Sequence, residues 1–152
     1  MPKTLFLIRH AHRDTDNGRE LDNGLSEKGK AQADKILNYF QKKHSDVDAK
    51  LISSPKKRCI ETIKPLEKIY KRKIEIFDLL NEGYRLEKRI KEFIEWWIEE
   101  APEYTILCSH GDWIPYCIEE LTGARVECKK SSIAEIGASL TSPLLINLIQ
   151  KP

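Results

Sequence analysis

Apolar positions along the chain alternate between short unbroken runs and helix-spaced series. Thr4–Ile8 lacks polar alternation and carries large side chains throughout, the pattern of a strand buried on both faces. Leu25-Ser26-Glu27 opens a helix: Ser26 is a capping residue, and Ala33, Ile36, Leu37 and Phe40 recur on one face. Leu51-Ile52 reads as a second strand ending in Ser53-Ser54-Pro55. Pro55 suits the first turn of a following helix with Cys59, Ile63, Leu66 and Tyr70 inward, and Pro65 is expected to kink or shorten it.

Ile74–Phe77 is a third strand candidate, and Leu86, Ile90, Phe93, Ile94 and Trp97 mark a helix stopping near Pro102. Tyr104–Cys108 predicts a fourth strand, followed by Ser109-His110-Gly111-Asp112 and a helix ending at Gly123. Ser132–Ile136 and Leu144–Ile149 close the series as strands. Strands alternating with helices predict an α/β three-layer sandwich, with a mostly parallel central sheet flanked by helices. Sites in such sheets gather outside the carboxyl ends of the strands. Two of the apolar runs, ending at Ile8 and Cys108, are each followed within a few residues by histidine.

Composition narrows the picture only modestly. A length of 152 residues suits one domain, 1–152, able to bury its own core. With 40% hydrophobic and 33% charged residues, the chain is expected to be globular, neither disordered nor membrane-embedded. Its apolar runs are too short for a signal-peptide core or a bilayer span, so a cytoplasmic location is expected. The net charge of +2 is too small to argue for nucleic acid. Cys59, Cys108, Cys117 and Cys128 are scattered without zinc-site spacing and read as buried free thiols. Trp96 and Trp97 read as packing residues.

Arg9-His10, Arg58, Glu82 and His110 share one chemical explanation. Arginine forks grip two oxygens of a tetrahedral phosphoryl group and stay charged at any working pH. A neutral imidazole can attack phosphorus in line, and a second one, if protonated, can donate to the transferring oxygens. A carboxylic acid can protonate the leaving oxygen and later deprotonate a water. A helix N-terminus near His110 would favour bound anions.

The same residues stand in segments that resemble the histidine phosphatase (phosphoglycerate-mutase-like) superfamily. "LIRHA" resembles its Arg-His signature, and "LSEKGKAQA", Leu25–Ala33, its Leu-Ser/Thr-x-x-Gly-x-x-Gln-Ala segment. "SSPKKRCIET" resembles the block carrying the second arginine, "LLNEGY" the acidic block, and "LCSHGDWI" the block of the second histidine. The order is the family's, from Leu5 to Ile114, and there is no room for large cap insertions. Only about thirty residues separate Arg72 from Tyr104, the scale of one crossover unit with a loop. In that compactness the chain resembles the small SixA-like phosphohistidine phosphatases.

The resemblance implies roles. His10 would be the nucleophile that becomes phosphohistidine, Arg9, Arg58 and His110 would form the phosphate pocket, and Glu82 would be the proton donor. Neither metal nor organic cofactor is implied. The substrate would be a phosphorylated protein, with phosphohistidine favoured, or a small phosphorylated metabolite, and a monomer is the favoured state. Where larger members carry neutral phosphate ligands after the first histidine, this chain has Arg13 and Asp16, so Arg13 and the neighbouring Asn17 become candidate phosphate contacts. Asp112 is a rival acid, although its position ahead of Trp113 and Pro115 reads first as a helix cap. His12, at the mouth, is open to substrate contact or plain exposure.

Other functions follow from parts of the same pattern. A mutase would need a second phosphate cradle. His10-Ala11-His12 superficially matches a metal-binding His-x-His pair, but such barrels need a longer chain and more ligands. A silent phosphate-recognition module would need the arginines and not His10.

Overall fold

The N-terminal apolar run becomes a central strand because its side chains are needed on both faces of a sheet. The computed structural model describes residues 2–139 and 142–152. Strand β1 (Lys3–Arg9) sends Leu5 and Leu7 into one core cluster and Phe6 and Ile8 into another. The same division runs through β2 (Ala49–Ser53) and β4 (Tyr104–Ser109): Ile52 and Leu107 face the first cluster, Leu51, Ile106 and Cys108 the second. Continuous apolar character thus records two covered faces, as strand alternation requires.

Helices close each face. Helix α1 (Glu27–Lys43), α2 (Lys57–Ile63) and α3 (Leu66–Tyr70) cover one side, where Phe6 meets Phe40 edge-on at 5.1 Å. Helices α4 (Leu86–Glu99) and α5 (Trp113–Thr122) cover the other, with Phe93 and Trp113 packed edge-on at 5.1 Å. Each such fully buried side chain contributes about 1.5–3 kcal/mol relative to exposure. Lys3 Nζ donates to the carbonyls of Trp97 and Ile98, tying the end of α4 to β1.

Strands β3 (Glu75–Ile76), β5 (Ile133–Ala138) and β6 (Leu144–Ile149) join these in one sheet, in the order β3-β2-β4-β1-β5-β6. Strands β3, β2, β4 and β1 are parallel, β5 runs antiparallel to β1, and β6 antiparallel to β5. The α/β architecture and the mostly parallel sheet match expectation. Among the described residues no helix is long and apolar enough to cross a membrane.

Three local expectations change. The third strand shrinks to Glu75–Ile76, because the Ile74 amide is taken by the Glu67 carboxylate at 2.8 Å instead of the sheet. Pro55 lies ahead of α2 rather than in its first turn: the Ser54 amide still bonds the Cys108 carbonyl at 3.1 Å, which keeps the chain extended. Asp112 occupies the capping position of α5 without making a side-chain cap, and its carboxylate instead accepts the Gly83 amide at 3.1 Å. Pro65 does divide α2 from α3, and all four cysteines are buried and free.

Candidate active site

Parallel pairing of β1 with β4 sets Arg9 opposite Ser109, so the next residue of each strand, His10 and His110, emerges on the same rim. The His10 amide bonds the Ser109 carbonyl at 3.0 Å, and the two imidazoles lie 5.5 Å apart between centroids, edge to face. Arg58, on the first turn of α2, reaches the same place and is 3% exposed although it carries a full charge. His10 and Arg58 line a hollow of about 380 Å³ together with Arg9, Arg13, Glu82 and Lys130, and His110 packs edge to face against His10.

Each imidazole is held in a defined protonation pattern. His10 Nδ1 lies 2.8 Å from the Ala11 carbonyl, an acceptor, so this nitrogen carries the hydrogen and Nε2 keeps its lone pair. Burial lowers the His10 pKa to about 4, with the charges of Arg58, Arg9 and Lys130 adding to the effect and the Ala11 bond opposing it. The ring is therefore neutral at ordinary pH. His110 is pushed down to about 3, first by burial and then by Arg58 and His10.

Ser54 completes the pattern at the second ring. Its Oγ accepts from the Lys56 amide at 3.3 Å and lies 2.8 Å from His110 Nε2, while a Glu82 oxygen faces Nδ1 at 3.4 Å, an arrangement that favours the tautomer in which the Ser54 hydroxyl donates to Nε2. Nδ1 then carries the ring's hydrogen, and this buried atom makes no hydrogen bond among the described residues. A neutral ring thus suffices as a donor, and the expected imidazolium is not needed.

The loop that carries His10 is clamped from two sides by the segments noted in the sequence. From α1, Gln32 Oε1 accepts the His12 amide at 2.8 Å, Ser26 Oγ lies 2.7 Å from His12 Nδ1, and the Ser26 amide bonds the His12 carbonyl. Gly29 permits this approach, since a Cβ there would stand 2.0 Å from the His12 carbonyl oxygen. From α2, Thr62 Oγ1 accepts the Ala11 amide at 2.9 Å and donates to the Arg58 carbonyl.

The arginines are placed by different means. Arg9 donates to the Cys128 carbonyl at 2.8 Å and lies flat against Gly111, where any Cβ would come within 2.7 Å of the guanidinium. Arg58 bonds Glu82 and approaches Asp22 at 3.6 Å. Glu82 sits on a loop fastened by three donors: Trp113 Nε1 and Arg89 to the Leu79 carbonyl, and Ser109 Oγ to the Leu80 carbonyl at 2.6 Å. Its second carboxylate oxygen stands 3.4 Å from His110 Nδ1.

Not every candidate converges. Arg9, His10, Arg58, Glu82 and His110 come together. Arg13 lines the hollow, yet its guanidinium also bonds the carbonyls of Arg19 and Leu21, so it stiffens its own loop. Asn17 is exposed in a turn with φ 68° and lies outside the residues that line the hollow. Asp112 lines the hollow but is engaged with Gly83. Ser54, Asp22 and Lys130 join the site without being marked as candidates by the sequence. Ser54 stood inside the quoted second-arginine block, whereas Asp22 and Lys130 lie in loops with no pattern to mark them. Among the described residues no group of three His, Cys, Asp or Glu side chains gathers as a metal site.

A family model described as "Histidine phosphatase superfamily (branch 1)" matches residues 5–84. The chain belongs to the histidine phosphatase superfamily. No curated protein matches it in sequence. Solved structures share its fold at low identity. Protein histidine phosphatase SixA, complexed with tungstate, has a TM-score of 0.74 at 16% identity, covering 96% of either chain. A phosphoserine phosphatase mutant from Entamoeba histolytica, complexed with phosphoserine, has a TM-score of 0.74 at 16% identity over 98% of both chains. Phosphoglycerate mutase from Plasmodium falciparum has a TM-score of 0.74 at 20% identity, covering 97% of this chain and 90% of its own. The names of these three proteins describe different activities, and at such identity the likeness is one of fold.

Proposed function

We infer that the protein is a phosphatase that passes a phosphoryl group through His10, taking it from phosphohistidine on a protein or from a small phosphomonoester. The observation that carries this reading is the Nδ1–H···O bond of His10 to Ala11, which leaves a lone pair on Nε2 beside two arginines. Recognition alone would need the arginines and no such nucleophile.

In the first step Nε2 of His10 attacks phosphorus, forming an N–P bond as the bond to the leaving atom breaks. Arg9, Arg58 and the Nδ1–H of His110 stabilise the oxygens of the group in flight. Glu82, in its acid form, gives its proton to the leaving oxygen. In the second step water attacks the phosphohistidine, Glu82 takes the water proton, the N–P bond breaks and phosphate leaves. A phosphohistidine substrate needs Glu82 less, because its leaving imidazole is protonated readily. The open rim, with no inserted cap between β3 and α4, suits a protein-borne group.

The test is acid-labile phosphate trapped on the protein by rapid quench, with His10→Ala as blank, during competition among phosphohistidine peptide, phosphoserine peptide and sugar phosphates. Label on His10 that turns over supports the reading. Tight phosphate binding without transfer would establish a recognition module instead.

A further inference from the structure

Beside the hollow lies a larger cavity of about 540 Å³, between α1 and the segments around residues 129–131 and 150–152. Arg9 and Lys130 line both spaces, which places the two side by side. Helix α1 presents Lys28, Gln32 and Lys35 to it, and Lys129 and Lys151 complete the wall. Among the described residues, no carboxylate side chain lines this cavity, and none of its lysines lies within ion-pair distance of one. Lysines elsewhere, such as Lys30, Lys50 and Lys91, do have acidic neighbours.

Concentrating unpaired cations around a concavity is electrostatically unfavourable unless an anion fills it. The effect reaches its members: Lys130 is lowered below the ordinary lysine value by burial and then by Arg9, Arg19, Arg13 and Lys28. His12 is lowered by burial and then by Lys130 and Lys28. The volume falls within the range of about 300–1,000 Å³ usual for small-molecule sites. Among the described residues no Phe, Tyr or Trp side chain lines the cavity and the small His12 imidazole is its one ring, so it offers a nucleobase no broad stacking face. The chain's net charge of +2 shows that this positive character is local.

We propose that the cavity bounded by Lys28, Lys35, Lys129, Lys130 and Lys151 binds a further phosphate of a small, non-aromatic, multiply phosphorylated substrate whose reacting phosphoryl group lies at His10. The proposal builds on the phosphatase reading for the reacting group, while the second site stands on its own binding chemistry. Lysine ammonium groups act there as point charges, orienting the molecule and leaving bond breaking to the hollow.

Tripolyphosphate and orthophosphate serve as probes, titrated calorimetrically at fixed ionic strength into the full chain and its variants. The chain is expected to bind tripolyphosphate at least about tenfold more tightly than orthophosphate, the scale of one or two charge-assisted contacts. Lys28→Ala/Lys35→Ala should collapse that ratio, whereas Lys42→Ala/Lys43→Ala, an equal charge change at the far end of α1, should preserve it. Equal affinity for both anions, or a ratio indifferent to the first pair, overturns the site. Loss of the ratio in both pairs overturns it too, since a diffuse field would then explain the binding. His10→Ala should bind tripolyphosphate with the ratio intact, and an unsubstituted chain that shows this preference but turns over no phosphoester refutes the phosphatase reading alone. Finally, kcat/KM for a hexose bisphosphate should exceed that for the monophosphate. A preference confined to phosphopeptides flanked by glutamate would replace the small molecule with an acidic protein and overturn the proposal.

Discussion

Glu82 bonds Arg58 through one carboxylate oxygen and stands 3.4 Å from His110 Nδ1 with the other. The acid therefore rests on two of the groups that would grip phosphate. Its own side chain is 42% exposed while that of Arg58 is 4% exposed, so it is the acid that is free to swing away. An incoming phosphoryl group would take over Arg58, and the displaced carboxyl would lie close to the departing atom.

Glu82→Gln should therefore act in opposite directions on binding and turnover. Removing the carboxylate charge that occupies Arg58 should tighten inhibition by tungstate, while losing a group that can take up a proton once displaced and pass it on should slow alkyl-phosphate hydrolysis about 10²-fold or more. Phosphohistidine peptide should lose much less. Steady-state kinetics with both substrates and one inhibitor checks this, and equal losses on both substrates would count against the proton-donor role.

Gly111→Ala should cut kcat/KM sharply and leave stability nearly unchanged. The added Cβ meets only the flexible end of Arg9, which can move aside cheaply but then no longer faces the hollow. Thermal unfolding measured beside kinetics separates the two effects.

Gly29→Ala should do the reverse in kind. Its Cβ would collide with backbone, the His12 carbonyl, so α1 must shift away from the His10 loop. A destabilisation of about 1–3 kcal/mol is expected, read by urea unfolding, with activity falling alongside.

Ser54→Ala should free the His110 ring to adopt either tautomer, since no hydroxyl would then donate to Nε2. A tenfold fall in kcat, at the low end of about 10–10²-fold for a supporting hydrogen bond, is expected with little change in KM. The His110 nitrogen shifts in an NMR spectrum would report the mixed tautomers directly.

Acid should weaken the fold before it protonates the site. His10 and His110 have folded pKa values of about 4 and about 3, below the ordinary 6.5. Between those values and 6.5 the unfolded chain binds more protons, so stability falls as pH drops through that window and is fully present above it. The loss from pH 7 to pH 5 is about 2 kcal/mol per histidine. Urea unfolding at the two pH values measures it, and His110→Gln should remove that residue's share, about 2 kcal/mol.

Much of this arrangement was legible because its residues do two jobs. The run Leu5–Ile8 declared a strand covered on both faces, and Gly29, Gln32 and Thr62 stood in recognisable segments because the His10 loop needs each of them. Ser26 was read correctly as a cap, but its contact with His12 depends on tertiary approach and left no trace in local pattern. Asp112 misled for a related reason: position favours a cap, while the Gly83 amide, distant in sequence, offers a better partner. Asn17 was assigned by spacing after His10, and spacing does not reveal where a turn points. The lysine cavity was invisible because its members come from α1, the 129–131 loop and the chain's last residues, which only folding assembles.

The excursion from Arg13 to Leu25 closes on itself. Arg13 pairs with Leu25 as an isolated bridge, the Asp14 amide bonds the Gly24 carbonyl at 2.9 Å, and the Arg13 guanidinium holds Arg19 and Leu21 from within. Gly18, at φ 96°, has open space around it. Extra residues spliced in at that tip would lengthen a sealed loop without tugging on the reactive imidazole. New selectivity could thus be grafted there while the chemistry underneath stays untouched.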